Sequence, residues 1–260
     1  MKCWVKIFVF LSLLLWPLVP AEAADKVGVV IMHGTKGHSG PKSYLAPLLR
    51  SFRKAGILYV APDMPWSRRR HLSKTVEGSL IEIDKAVETL KARGATKIVV
   101  GGQSHGATAA MAYGGHRKGL AGILVIAPGH IPSKMGWQRR MDYDYVRAGT
   151  LIEKGKGKKK TSFKSAGKRV FTFRTTPEIY FSWYEPDGPT NYQANAMKME
   201  QGTALFWIQG KDDKINPHGE YLAFAHAPKN PKNKYVIVKG GHLATPRIGA
   251  SQIVAWLKSL

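Results

Sequence analysis

The sequence predicts an α/β fold: a mostly parallel central sheet with helices on both faces and a lid-like insertion. Three observations point to it. Apolar runs rich in β-branched residues, such as Val27-Gly28-Val29-Val30-Ile31-Met32 and Lys97-Ile98-Val99-Val100-Gly101, lack the alternation of a half-exposed strand and read as strands buried on both faces. Stretches of helical periodicity separate them, so strand and helix alternate at the intervals of βαβ units. From about residue 131 to 201 that rhythm stops, and afterwards it resumes.

The chain begins with a basic segment, Met1-Lys2-Cys3-Trp4-Val5-Lys6, followed by an almost wholly apolar run from Ile7 to Val19 and by Ala21-Glu22-Ala23. Positive flank, short apolar stretch and small residues at the two recognition positions are the signature of a cleaved secretion signal. Residues 1–23 are therefore read as a signal peptide and 24–260 as a single domain, periplasmic or secreted. The apolar run falls short of the roughly 20 residues that span a bilayer, and no second such stretch follows, so the mature chain carries no transmembrane segment. The single cysteine, Cys3, is lost with the signal. The mature protein must then hold together through its core, without disulfides, in a compartment that permits them.

Formal net charge is +23. A surplus of this size favours screened, non-specific contact with anionic envelope surfaces and other polyanions. The lysines and arginines are dispersed and no nucleic-acid motif accompanies them, so specific nucleic-acid binding is not expected.

After the first strand, Pro41 is expected to open a helix with Leu45, Leu48, Leu49 and Phe52 at helical spacing, stopped at Gly56. Ile57-Leu58-Tyr59-Val60-Ala61 is the next strand. Thr75 can cap a helix whose Val76, Leu80, Ile83, Val87 and Leu90 form one apolar stripe, with Gly94 at its end. The strand at 97–101 follows, then a helix of small residues to about Gly114, then the strand Leu120–Ala127. The insertion at about 131–201 is too long for a plain loop. It holds an expected helix from Trp137 to Glu153, the exposed tract Lys154-Gly155-Lys156-Gly157-Lys158-Lys159-Lys160 and the aromatic segment Tyr180-Phe181-Ser182-Trp183-Tyr184. Strands at Ala204–Ile208 and Tyr235–Val238, a short helix near Glu220–Phe224 and a last helix capped at Thr245-Pro246 complete the chain.

Chemistry concentrates at strand ends. Gly102-Gln103-Ser104-His105-Gly106 lies between an apolar strand and a small-residue helix, the setting of a sharp strand-to-helix turn. A serine hydroxyl is a poor nucleophile unless it is held out of regular structure where a base reaches its proton. Ser104 is the nucleophile in this reading, His242 of Gly241-His242 the general base and then acid, and Asp213 the carboxylate that fixes the imidazole's tautomer. Asp212 competes with Asp213, which is favoured as the fourth residue of the turn Gly210-Lys211-Asp212-Asp213. The backbone N–H groups of Thr35 and His105 are the expected oxyanion donors, with Lys36 the nearest rival to Thr35. His33 reads as a buried histidine hydrogen-bonded to backbone, and the ring of His105 as lining the pocket. Asp63 reads as a loop-organising carboxylate, and Arg68, Arg69 and Arg70 as a solvated basic turn or a clamp for an anionic group. Trp137, Tyr180 and Trp183 are candidates for a substrate-binding wall, or else rings that fasten the insertion to the sheet. The nine histidines show no metal-ligand spacing, and neither a phosphate loop nor a dinucleotide fingerprint is present, so neither a metal nor a cofactor is implied.

From Val27 to the C terminus the chain resembles the α/β-hydrolase superfamily. The resemblance rests on His33-Gly34 after the first strand, Gly102-Gln103-Ser104-His105-Gly106, Gly210-Lys211-Asp212-Asp213 and Gly241-His242, in the chain order Ser, Asp, His. Within it, Pro62-Asp63-Met64-Pro65-Trp66-Ser67-Arg68-Arg69-Arg70 and Ala127-Pro128-Gly129-His130 are similar to a group of small secreted bacterial, esterase-like hydrolases of unestablished substrate. The resemblance implies a secreted serine hydrolase cleaving a carboxylic ester or related acyl bond of a small-molecule or lipid-like substrate through an acyl-enzyme. Amidase, peptidase or acyltransferase chemistry would use the same groups. The contrasting class is a non-catalytic protein that uses a hydrolase scaffold and its basic surface to bind a polyanion or the envelope.

Overall fold

The computed structural model describes residues 25–132, 135–165, 171–215 and 219–260, the side chains of 135–142 excepted. The segment read as a signal peptide and the ring of Trp137 lie outside the described residues.

Six strands form the central sheet: β1 (Val27–Met32), β2 (Leu58–Val60), β3 (Lys97–Ser104), β4 (Gly122–Pro128), β7 (Ala204–Gly210) and β8 (Lys234–Val238). Their spatial order is β2-β1-β3-β4-β7-β8 and every pairing is parallel. Successive residues of a strand face opposite sides, and both sides are covered, which is why these runs show no polar alternation. On one side Val30, Met32, Val100, Val125 and Trp207 meet α2 (Val76–Ala92), α3 (His105–His116) and the insertion. On the other, Val29, Ile31, Val99, Leu124 and Phe206 meet α1 (Ala46–Lys54) and α9 (Ala250–Ser259). The sheet therefore sits between two apolar cores, and all six strands point their carboxyl ends the same way.

Helix ends follow their sequence signals with two exceptions. Thr75 caps α2, accepting a hydrogen bond from the Gly78 N–H at 3.1 Å. The first helix starts at Ala46, not Pro41. Residues before it are spent in turns closed by Ser43 N–H to Gly40 O and Ala46 N–H to Ser43 O, and Pro47 takes the first-turn position that a proline tolerates. The last helix is divided at Gly249 into α8 (Thr245–Ile248) and α9. A Cβ at 249 would lie 2.3 Å from Ile208 Cδ1 and 3.1 Å from Thr245 O, so glycine lets this corner pack against β7 without displacing the isoleucine's end.

The insertion folds as α4 (Met135–Glu153), an antiparallel hairpin of β5 (Thr161–Lys164) and β6 (Thr172–Thr175), α5 (Pro177–Tyr184) and α6 (Tyr192–Lys198). The hairpin was not expected, although Thr161-Ser162-Phe163-Lys164 and Thr172-Phe173-Arg174-Thr175 carry a period-two signal: Phe163 and Phe173 are buried and paired across the strands, while Ser162, Lys164, Thr172 and Arg174 are exposed. Between β7 and β8 lie a short helix, α7 (Gly219–Leu222), and one 3-10 turn. No helix among the described residues is long and apolar enough to cross a membrane.

Candidate active site

Ser104 closes β3 with φ 57° and ψ −118°. Positive φ is costly for a side-chain-bearing residue, on the order of 1–3 kcal/mol, and persists only where the surroundings leave no alternative. Here glycines make the turn sterically feasible. A Cβ at Gly102 would lie 2.4 Å from Gly106 C, and one at Gly106 2.6 Å from Met32 O. The hydroxyl itself stands in a clearing between two more: a Cβ at Gly129 would lie 2.3 Å from Ser104 Oγ, and one at Gly34 2.8 Å from Ser104 Cβ. The β3–β4 register slips at Gln103/Ser104, and Ala127 opposite has φ 42°. Strain is thus paired across two adjacent strand ends.

The turns after β7 and β8 are tied to each other. Lys211 N–H donates to Val238 O at 2.8 Å and Asp212 N–H to Gly240 O at 3.0 Å. Within the first turn, Asp213 N–H donates to Gly210 O at 3.0 Å. This lacing puts Asp213 against His242, whose Nδ1 donates to Asp213 Oδ2 at 2.7 Å. Asp213 Oδ1 accepts from Ile215 N–H at 3.0 Å, and the carboxylate is only 1% exposed. An ionised carboxylate only accepts, so the proton lies on Nδ1 and Nε2 keeps its lone pair. Asp212, the competing carboxylate, is exposed. Gln103, next to Ser104, donates from Nε2 to His242 O at 3.3 Å and so ties the imidazole's backbone to the strand that bears the serine. Among the hydrogen bonds of the described residues, none joins Ser104 Oγ to His242, as is common before substrate binds.

Among the described residues, the backbone N–H groups of Thr35 and His105 have no hydrogen-bond partner. The rival, Lys36, is occupied: its N–H donates to Trp66 O at 2.9 Å. His105 is the first residue of α3, so the partial positive charge of that helix terminus adds to its N–H. These two donors, a hydroxyl on a strained turn and an imidazole held by a buried carboxylate are the parts that acyl transfer requires.

His33 is fully buried, with Nε2 accepting from Met64 N–H at 3.2 Å and Nδ1 donating to Gly34 O at 2.9 Å; burial lowers its pKa. The ring ties the loop after β1 to the loop after β2. Asp63 holds that second loop: Arg69 pairs with its Oδ2 at 2.8 Å and Arg70 donates to its carbonyl at 2.8 Å. Arg70 is also bound by both Glu82 oxygens, each at 2.6 Å. Arg69 and Arg70 therefore have their charges answered within the protein, and Arg68 is exposed.

Two expectations are corrected by burial. Tyr180 and Trp183, read as a substrate wall, are fully buried. Tyr180 stacks on Phe163 and Tyr184 and donates its hydroxyl to Lys164 O at 2.9 Å. Trp183 donates from Nε1 to Lys74 O at 2.9 Å and accepts at its carbonyl from His130 Nε2 at 2.6 Å. Trp183 fastens the insertion to the body, while Tyr180 packs the hairpin against α5 within the insertion. The ring of His105 is likewise no pocket lining: 1% exposed, it stacks against Trp66 and His130 with centroids 4.8 and 4.6 Å away, and Trp183 lies 4.5 Å off. Gly129 and this cluster of rings were missed from the sequence. The available signal was position, since Pro128-Gly129-His130 ends the strand next to the serine and loops at that edge converge.

This fold and site define a class. The family model described as the alpha/beta hydrolase family matches residues 29–247, and the chain belongs to that family. Among solved structures, it is similar to a metagenome-derived lipolytic enzyme of the LipS and LipT pair (16% identity, 91% of this chain and 95% of that one, TM-score 0.62). A thermostable carboxyl esterase from Bacillus coagulans (15%, 91% and 91%, 0.66) and a monoacylglycerol lipase from Paleococcus ferrophilus (20%, 89% and 94%, 0.66) are similar too. At these identities the likeness is one of fold. None of the curated proteins matches the chain.

Proposed function

We propose that the protein is a serine hydrolase that cleaves a carboxylic ester. The observation that carries this is the strained Ser104 turn, tied through Gln103 to the His242–Asp213 pair and flanked by two N–H donors that have no partner among the described residues. In this reading Ser104 Oγ attacks the carbonyl carbon while His242 Nε2 takes its proton. The tetrahedral oxyanion is received by the N–H groups of Thr35 and His105, each such donor being worth roughly 3–4 kcal/mol in measured cases. His242 then protonates the departing alkoxide, and the acyl group remains on Ser104. A water, deprotonated by His242, releases it as the acid. The lipolytic and esterase activities named for structures of the same fold support an acyl ester over an amide or peptide bond.

A fluorophosphonate should label the folded protein and fail to label Ser104→Ala. Absence of labelling in folded wild-type protein overturns the proposal. p-Nitrophenyl esters of graded length, run beside thioester and amide substrates, then define the acyl group. We propose further that residues 1–23 direct export and are removed. The exported protein should begin near Ala24, and N-terminal sequencing that recovers Met1 would contradict this.

A further inference from the structure

The two residues that offer oxyanion donors also touch through their side chains. Thr35 Oγ1 lies 3.3 Å from His105 Nδ1, joining the loop after β1 to the first residue of α3. We infer that this Thr35–His105 bridge is a positioning device that sets the distance between the two backbone donors; the inference rests on the hydrolase reading above.

Thr35 is half-exposed in a turn closed by Gly37 N–H on Gly34 O, and the carbonyl of the Gly34–Thr35 peptide also accepts from His33 Nδ1, so the backbone holds that peptide from its own loop; the Thr35 side chain is what ties it across to α3. His105 is held on the α3 side. Its ring is held among Trp66, His130 and Trp183, and Gly106 behind it abuts Met32 O and His33 O. A packed imidazole hydrogen-bonded to Thr35 fixes the loop after β1 relative to the start of α3, which hydrogen bonds within that loop do not do. The ring's other nitrogen, Nε2, is buried with no hydrogen-bond partner among the described residues. A buried orphan of this kind costs stability, and a phenyl ring would fill the same slot without that cost. The imidazole's hydrogen bond to Thr35 is the one interaction that phenylalanine would not reproduce. Since a bare nitrogen is easier to leave unpaired than an N–H, the favoured tautomer carries its proton on Nδ1 and donates it to Thr35 Oγ1. The threonine hydroxyl proton then points away from His105.

The test uses the full mature protein and reads kcat and KM separately with one neutral p-nitrophenyl ester. Thr35→Val is close in shape and should lower kcat about tenfold with KM little changed, the pattern of an interaction that matters in the transition state. Thr35→Ser restores the hydroxyl and should restore kcat. His105→Phe should match Thr35→Val in kcat, and the double variant should be no worse than either alone, because both remove one coupled interaction. Should His105→Phe fail to fold, the Thr35→Val and Thr35→Ser pair still decides. Folded Thr35→Val with wild-type kcat, or Thr35→Ser as slow as Thr35→Val, overturns the bridge while leaving the hydrolase reading intact. Wild-type protein inert to fluorophosphonate overturns both.

Discussion

Single residues at this site are defined by what surrounds them more than by type. Two aspartates stand side by side after β7, yet only Asp213 is buried and bonded to His242, because the turn closed by Asp213 N–H on Gly210 O aims its side chain inward while Asp212 faces solvent. Replacing a carboxylate that orients an imidazole by its amide presents the wrong hydrogen-bonding pattern to Nδ1. Asp213→Asn should therefore lower kcat by about 10³–10⁴-fold, whereas Asp212→Asn should leave it near wild type. Steady-state ester hydrolysis by both variants decides it, and equal effects would remove Asp213 from its assigned role. Both the serine motif and the choice of the fourth turn residue were legible from sequence. The clearing made by Gly129 was not, since it depends on how β4 ends beside β3.

Elements determine which rings are free to meet a substrate. The aromatic segment of α5 has the composition of a binding wall, and the structure uses it as a clamp. Thr175 Oγ1 donates to Leu72 O at 2.6 Å, Trp183 to Lys74 O, and Ser182 Oγ accepts from Val76 N–H at 3.2 Å, so β6 and α5 are fixed to the segment that leads into α2. Truncating a fully buried tryptophan typically costs about 3–5 kcal/mol. Trp183→Ala should lose stability on that order in denaturant unfolding. A variant with wild-type stability and an altered KM would instead mark Trp183 as a substrate contact. Outside the insertion, strand and helix positions were recoverable from periodicity, as was the cap at Thr75. The late start of α1 was not, because Pro41 suits a turn as readily as a helix and only tertiary packing chooses.

The whole molecule buries three histidines beside the Ser104 end of the sheet, and this makes its stability depend on pH. Burial lowers the pKa of His33 and His105, and brings that of His130 to about 4. In the unfolded chain these rings titrate near 6.5, so below that value the unfolded state binds protons that the folded state refuses. Stability is then fully present above pH 6.5 and is lost as pH falls, the His130 contribution running out near pH 4, where the folded protein takes the proton too. For His130 alone the loss is about 3 kcal/mol. Tm should accordingly fall between pH 7 and 4, and fall less steeply in His130→Gln. A Tm that does not vary across that window would refute the linkage.

Sequence by itself settled the strands of the central sheet and the helices between them outside the insertion, their parallel βαβ alternation, the strand ends where chemistry gathers and the serine turn. These follow from interactions within a few residues, namely side-chain periodicity, caps and the glycine spacing that a tight turn demands. Tertiary structure alone decided that the Lys36 N–H is occupied where that of Thr35 has no partner among the described residues, that the ring of His105 is enclosed by other rings, and that Tyr180 and Trp183 are buried. Each of those outcomes depends on two segments far apart in the chain arriving at one sheet edge, and burial, which local pattern does not encode, determines which polar group keeps its partner there.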